Sequence, residues 1–146
     1  IPVEDVFDRG IGDMFVARVA GNTINVDILG SMEFACNIAG AKLVVVMGHE
    51  HCGAVMGAID GVQLGHITAL LGKIRPATLI TDGFEGVRTS ENADYVCWVA
   101  EQNVRLGVER VRAESTILCE MEQAGDIKIV GAMYAMDTGE VKILTI

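Results

Sequence analysis

One stretch decides the fold of this chain: Val44-Val45-Val46-Met47-Gly48-His49-Glu50-His51-Cys52-Gly53, residues 44–53. Its first four residues are a continuous apolar run, which is typical of a strand covered on both faces in a parallel sheet. Gly48 ends the predicted strand, and the composition from Gly53 to Ile59 favours a short helix. An imidazole and a thiol therefore follow a buried strand, where open α/β sheets bind their ligands.

His49 and Cys52 are three residues apart, and this spacing would let them share one zinc ion as nitrogen and sulfur ligands. Cys52 lies at the start of the predicted helix, where free backbone N–H groups and the helix dipole favour the thiolate, the form that binds metals. The spacing H-x-x-C alone is a weak signal. The alternative interpretation is a buried histidine and a small apolar thiol in the core.

Composition predicts a single domain over residues 1–146, because a chain of 146 residues with 51% hydrophobic content can bury one core. The net charge of −9 argues against nucleic-acid binding, and no apolar run is long enough to span a membrane. The four cysteines are not closely spaced, which is typical of a reducing compartment. We therefore expect a cytoplasmic protein without membrane partners, with an organelle left open because a transit peptide could precede Ile1. Three cysteines are predicted to be core residues: Cys36, Cys97 and Cys119.

The order of apolar segments predicts an α/β fold, with a mainly parallel central sheet flanked by helices and an antiparallel C-terminal edge strand. Strands are predicted over 14–19, 43–47, 127–134 and 141–146. Helices are predicted over 25–38, from 67 to a stop at Arg75-Pro76, from a cap at Ser90 to 112, and from a cap at Ser115 to before Gly125. One face of the long helix carries five valines: Val96, Val99, Val104, Val108 and Val111.

The motif at 48–55, Gly48-His49-Glu50-His51-Cys52-Gly53-Ala54-Val55, resembles the second zinc motif of the β-class carbonic anhydrases. Other segments resemble the same family in the family's own order: Asp5-Val6-Phe7, residues 12–22, residues 27–35 and residues 130–134. The resemblance covers nearly the whole chain and is weakest over residues 75–88.

This resemblance implies a zinc-dependent lyase that converts CO2 reversibly to bicarbonate, with zinc-bound hydroxide as the nucleophile. It also implies a homodimer or tetramer. Carried onto this chain, it makes His49 and Cys52 zinc ligands, and it makes His51 a candidate proton relay, for which a solvated histidine is the alternative. The implied substrate pocket contains Phe15, Ala20, Phe34 and Gly53. Ordinary core packing is the alternative for the first three.

The chain departs from the family at one motif. A Cys-x-Asp-x-Arg motif precedes, in the family, the segment that here begins at Ile1, and it carries another zinc ligand and the catalytic Asp–Arg pair. We therefore expect an N-terminally incomplete chain, inactive by itself, rather than a remnant that has lost its chemistry. Two other functions stay open: a hydrolase of CS2 or COS on the same scaffold, and a zinc-free binding or assembly module.

Overall fold

The computed structural model describes residues 1–146. Its helices are α1 (Val3–Val6), α2 (Val26–Glu33), α3 (Gly53–Ile59), α4 (Gly65–Thr78), α5 (Ala93–Glu114) and α6 (Thr116–Gln123). A π-helical segment (Phe34–Ile38) continues α2, and a 3₁₀ turn spans Ala20–Asn22. The strands are β1 (Leu43–His49), β2 (Lys128–Tyr134) and β3 (Val141–Leu144). None of the helices combines the length and the apolar character needed to span a bilayer.

The three strands form one sheet in the order β1-β2-β3. β1 runs parallel to β2 from the pair Leu43–Lys128 to the pair His49–Tyr134, and the short β3 lies antiparallel to β2. These pairings confirm the predicted α/β fold with its antiparallel C-terminal edge strand. Because β1 pairs only with β2, its other edge is free.

The long helix α5 packs on the sheet through the predicted valine face. All five of its valines are at most 2% exposed, and burial of each valine contributes about 1.5–3 kcal/mol. The helix also lies very close to β1, since a Cβ on Gly107 would be 3.2 Å from Cγ1 of Val46. Helix α5 therefore holds in place the strand that ends at His49.

The predicted strand over residues 14–19 is wrong: this segment is extended but pairs with no strand. Its side chains alternate in burial over most of its length, because one side rests against the protein and the other faces solvent. A run rich in apolar and β-branched residues predicts an extended chain but does not by itself supply a hydrogen-bonded neighbour.

Helix α4 continues through Pro76, although a stop at Arg75 was predicted. A proline inside a helix costs about 3 kcal/mol, because it leaves the carbonyl four residues earlier without a donor and its ring crowds that carbonyl. That carbonyl belongs to the exposed Gly72, so water can donate a hydrogen bond to it, and the fully buried Ile74 and Ala77 hold the last turn on the core.

The start of α5 also differs from the prediction, because Asn92 and not Ser90 caps it by accepting a hydrogen bond from the Asp94 N–H. The predicted Ser115 cap of α6 is confirmed.

Candidate active site

His49 is the last residue of β1, and Gly48 before it explains how closely the end of the strand approaches α5 and β2. A Cβ on Gly48 would lie 2.7 Å from Cγ2 of Val104 and 3.0 Å from the sulfur of Met133. Only glycine fits here unless these side chains or the strand move. The position of the imidazole therefore depends on the packing of Gly48.

The ring of His49 has one nitrogen fixed by a hydrogen bond. Its Nδ1 lies 2.7 Å from the backbone carbonyl oxygen of Glu50. A carbonyl oxygen can only accept, so Nδ1 carries the proton and donates it. In the neutral imidazole this leaves Nε2 with a free lone pair, which is the form in which histidine binds metals.

Cys52 lies at the N-cap of α3 and is 4% exposed. Its backbone carbonyl accepts the first helical hydrogen bond, from the Met56 N–H at 3.0 Å. Glu50 and His51 form the turn between β1 and α3, and His51 has a left-handed backbone with φ of 53°. The turn therefore brings an imidazole and a buried thiol to the same end of β1.

Two of the other cysteines have a pKa raised above the ordinary value of a thiol. Burial raises the pKa of Cys97 above its ordinary value, and the nearby carboxylates of Glu50, Glu101 and Asp94 raise it further against the opposing charge of Lys142. Burial also raises the pKa of Cys36. Cys36 is a core residue as predicted, whereas Cys97 and Cys119 are only half-buried.

A groove with a volume of about 680 Å³ runs beside the free edge of β1. Most of the side chains that line it are apolar, and they come from β1, from the extended segment before residue 20, and from α2 with its π-helical continuation. His49 lies on its wall. The free edge of a seven-residue strand beside such a groove leaves room for a further extended segment.

The predicted pocket residues are only partly brought together. Phe15 and Ala20 line the groove, whereas Cys52 and Gly53 do not. Phe34 lies outside the lining and packs against Phe15, with ring centroids 6.1 Å apart. The two phenylalanines are 53% and 52% exposed, so neither is an ordinary core residue.

The donor set of this end of β1 fits zinc in kind but not in number. An unprotonated imidazole nitrogen and a thiol sulfur are the donors that zinc prefers, and a catalytic site needs three protein ligands. No group of three or more His, Cys, Asp or Glu side chains in residues 1–146 is placed to hold a metal ion. His51, the candidate relay, is exposed on the adjoining turn.

Comparison with known proteins identifies the family of this chain. Residues 1–141 match the sequence profile of the carbonic anhydrase family. The chain is 32% identical to carbonic anhydrase 2 of Mycobacterium tuberculosis over an alignment of 146 positions that covers 95% of this chain and 66% of that protein. It is also 32% identical to the carbonic anhydrase of Synechococcus elongatus, over 93% of this chain and 53% of that protein. The chain belongs to the β-class carbonic anhydrase family.

Solved β-carbonic anhydrases share the fold. The enzyme CafA of Aspergillus fumigatus superposes with a TM-score of 0.85 at 24% identity, over 98% of this chain and 69% of that one. A tetrameric β-carbonic anhydrase of Sordaria macrospora gives 0.84 at 22% identity, over 99% and 75%. The chain spans between about half and two thirds of the length of the curated relatives from Synechococcus and Mycobacterium.

One residue of the site was missed from the sequence. Glu50 stands between the two predicted site histidines, and nothing in a single sequence separates it from an exposed turn residue. Its contacts with His49 and with the β2–β3 turn become visible only in the folded chain.

Proposed function

We propose that this chain is part of a β-carbonic anhydrase that converts CO2 reversibly to bicarbonate, with His49 and Cys52 as two of its zinc ligands. The observation that carries the proposal is the 2.7 Å contact between Nδ1 of His49 and the carbonyl oxygen of Glu50, which places the proton on Nδ1 and leaves Nε2 free three residues before a buried thiol. Zinc, when bound, lowers the pKa of a coordinated water to about 7 and so supplies a nucleophile for CO2 at neutral pH.

The third protein ligand would come from outside these 146 residues. Two facts support this part of the proposal: no group of three His, Cys, Asp or Glu side chains in residues 1–146 is placed to hold a metal ion, and the edge of β1 beside His49 is free. A segment that pairs with this edge would bring its own side chains to the end of the sheet where His49 lies. Without that segment, we expect the 146-residue chain to be inactive.

The groove suits a small apolar substrate. CO2 has no net charge and little affinity for water, so an apolar wall favours its approach and limits competing water. Phe15 and Ala20 would form part of this wall, and Phe34 would support Phe15 from outside. His51, exposed next to the thiol, is the candidate to pass a proton to solvent.

The working protein would be a homodimer or tetramer. The relative from Sordaria macrospora is described as tetrameric, and the free edge of β1 and the exposed Phe15–Phe34 pair are surfaces that a monomer rarely leaves open. All four cysteines are free thiols, which supports a reducing compartment such as the cytoplasm.

Stopped-flow measurement of CO2 hydration with a pH indicator tests the proposal, on the complete polypeptide and on residues 1–146 alone. We expect hydration by the complete polypeptide that rises with pH and is lost in His49→Ala, while the exposed His66→Ala serves as a matched control and keeps the rate. Equal rates for both lengths would show that no further ligand is needed. Turnover of CS2 or COS but not CO2 would change the substrate, and the absence of both activity and zinc would favour a binding module.

A further inference from the structure

Glu50 makes three hydrogen bonds around the candidate site. Its backbone N–H donates to the carbonyl oxygen of Tyr134 at 3.2 Å, which extends the β1–β2 ladder by one residue. Its own carbonyl accepts the proton of His49 Nδ1 at 2.7 Å. Its side-chain Oε2 accepts the backbone N–H of Met136 at 3.0 Å.

The third bond connects two distant parts of the chain. Met136 lies 86 residues after Glu50 and begins the turn between β2 and β3. The peptide that follows Glu50 leads into His51, whose φ of 53° lies in the left-handed region. This conformation is uncommon for residues other than glycine, although histidine adopts it more readily than most, and contacts of the neighbouring residues help to hold it. The carboxylate of Glu50 is one such constraint, because it fixes the residue whose carbonyl faces His49.

We propose that Glu50 is a positioning residue for the metal centre: its bond to Met136 holds the 50–51 peptide so that the carbonyl keeps the proton of His49 on Nδ1 and Nε2 free. This inference rests on the proposed function, since it assigns Nε2 as the metal donor. Partners of the second ring nitrogen orient metal-bound histidines in general, and their loss weakens metal binding about 10–100-fold.

The carboxylate could instead act through its charge, and the structure supplies a way to separate the two effects. Glu50→Gln keeps an oxygen that can accept from Met136 but removes the charge, whereas Glu50→Ala removes both. Glu140→Ala is a matched control on the same β2–β3 turn, because the Glu140 side chain is exposed and makes no hydrogen bond.

Two measurements on the complete polypeptide decide the matter. In the metal-free protein, long-range ¹H–¹⁵N correlations of the His49 ring show which nitrogen carries the proton. We expect Nδ1–H in the unchanged protein, in Glu50→Gln and in Glu140→Ala, and a mixture of both forms in Glu50→Ala. Titration with Co²⁺ should show affinity weakened ~10-fold in Glu50→Ala and nearly restored in Glu50→Gln.

The proposal would be wrong if Glu50→Ala left both the position of the ring proton and the Co²⁺ affinity unchanged. It would also be wrong if Glu50→Gln behaved like Glu50→Ala, because the effect would then come from the charge of the carboxylate. Amide exchange at Met136 shows whether Glu50→Ala breaks the intended bond in a folded protein. If no variant binds Co²⁺, the proposed function fails, and the ring spectra still decide whether Glu50 fixes the imidazole.

Discussion

Asn103 in α5 donates a hydrogen bond from Nδ2 to the backbone carbonyl of Gly21, at 2.8 Å and across 82 residues of sequence. Asn103 is buried, and Gly21 belongs to the 3₁₀ turn that lines the groove beside β1. The bond therefore ties one wall of the groove to the helix that packs on the sheet.

Replacing Asn103 by alanine should leave the carbonyl of Gly21 buried without a donor, which costs about 1–3 kcal/mol. Urea unfolding of the two proteins would measure this loss. Asn37→Ala is the matched control, since Asn37 is exposed and should change stability by less than about 0.5 kcal/mol. Equal urea midpoints for the two variants would show that the Asn103 hydrogen bond makes no net contribution to the free energy of unfolding.

Gly48→Ala should destabilise the fold, because the new Cβ would meet Val104 at 2.7 Å and Met133 at 3.0 Å. Such overpacking typically costs about 1–3 kcal/mol. Gly48→Ala should cost less in a Val104→Ala background, where the smaller side chain leaves room for the new methyl group, and a double-mutant cycle would measure this coupling.

Gly30→Ala provides the opposite control for the same chemical change. Gly30 lies in the interior of α2 and is exposed, and a Cβ added there would meet no neighbouring side chain within 4 Å. Alanine there should stabilise the helix by about 0.5–1 kcal/mol. A loss of stability in both glycine variants would argue against the close packing of Gly48.

The sequence alone predicted those features that depend on nearby residues. The apolar run before Gly48 identified β1, the valine spacing identified the buried face of α5, and Ser115 was found as a cap because a cap bonds within its own turn. The hydrogen bonds of Glu50 to Met136 and of Asn103 to Gly21 were not predictable, since they join residues 86 and 82 positions apart.

Two errors have the same origin. Residues 14–19 have the apolar and β-branched composition of a strand, but pairing depends on a neighbour that the segment itself cannot encode. Pro76 signals a helix end locally, yet burial of Ile74 and Ala77 extends α4 beyond it. The ligand pair His49 and Cys52 was predicted from a motif, and its assignment as a metal site stays a prediction.

Glu122→Gln should lower stability at neutral pH and have little effect in acid. Arg112 donates two hydrogen bonds to the Glu122 carboxylate, at 2.7 and 2.9 Å. The bond from Arg112 holds the pKa of Glu122 below its ordinary value, against the opposing effect of burial and with help from the Ile129 N–H.

Since the folded-state pKa is the lower one, the pair stabilises the protein above the unfolded pKa of about 4.3, and this contribution is lost as the pH falls through the folded value. We expect a difference of about 1 kcal/mol at pH 7 between the unchanged protein and Glu122→Gln, shrinking below about pH 4. Urea unfolding at both pH values measures it. Glu120→Gln, on the same helix but without an ion pair, should show no such trend.

Residues 1–146 alone should associate into dimers or larger assemblies, because the edge of β1 is free and lies beside an apolar groove. Leu43→Lys places a charge on that edge and should shift light scattering towards the monomer. Leu79→Lys changes another exposed leucine, which lies outside the groove, so it should leave association unchanged. A stable, folded monomer of the unchanged chain at micromolar concentration would contradict this prediction.

Metal content separates an enzyme from a binding module. The complete polypeptide should carry one zinc per chain, and Cys52→Ser should remove it, because a hydroxyl is a far weaker zinc donor than a thiolate. Cys119→Ser is the matched control, since Cys119 lies on α6, which contributes no residue to the turn after β1, and its zinc content should be unchanged.

Residues 1–146 alone should bind zinc only weakly, because two protein ligands hold the ion less firmly than three. Metal analysis after dialysis measures both lengths. Full zinc content in Cys52→Ser would remove Cys52 from the site, and tight zinc binding by residues 1–146 would mean that a third donor lies within them. If the complete polypeptide binds no zinc, His49 and Cys52 are not metal ligands. The groove and the β1 edge would then be interpreted as surfaces for binding or assembly.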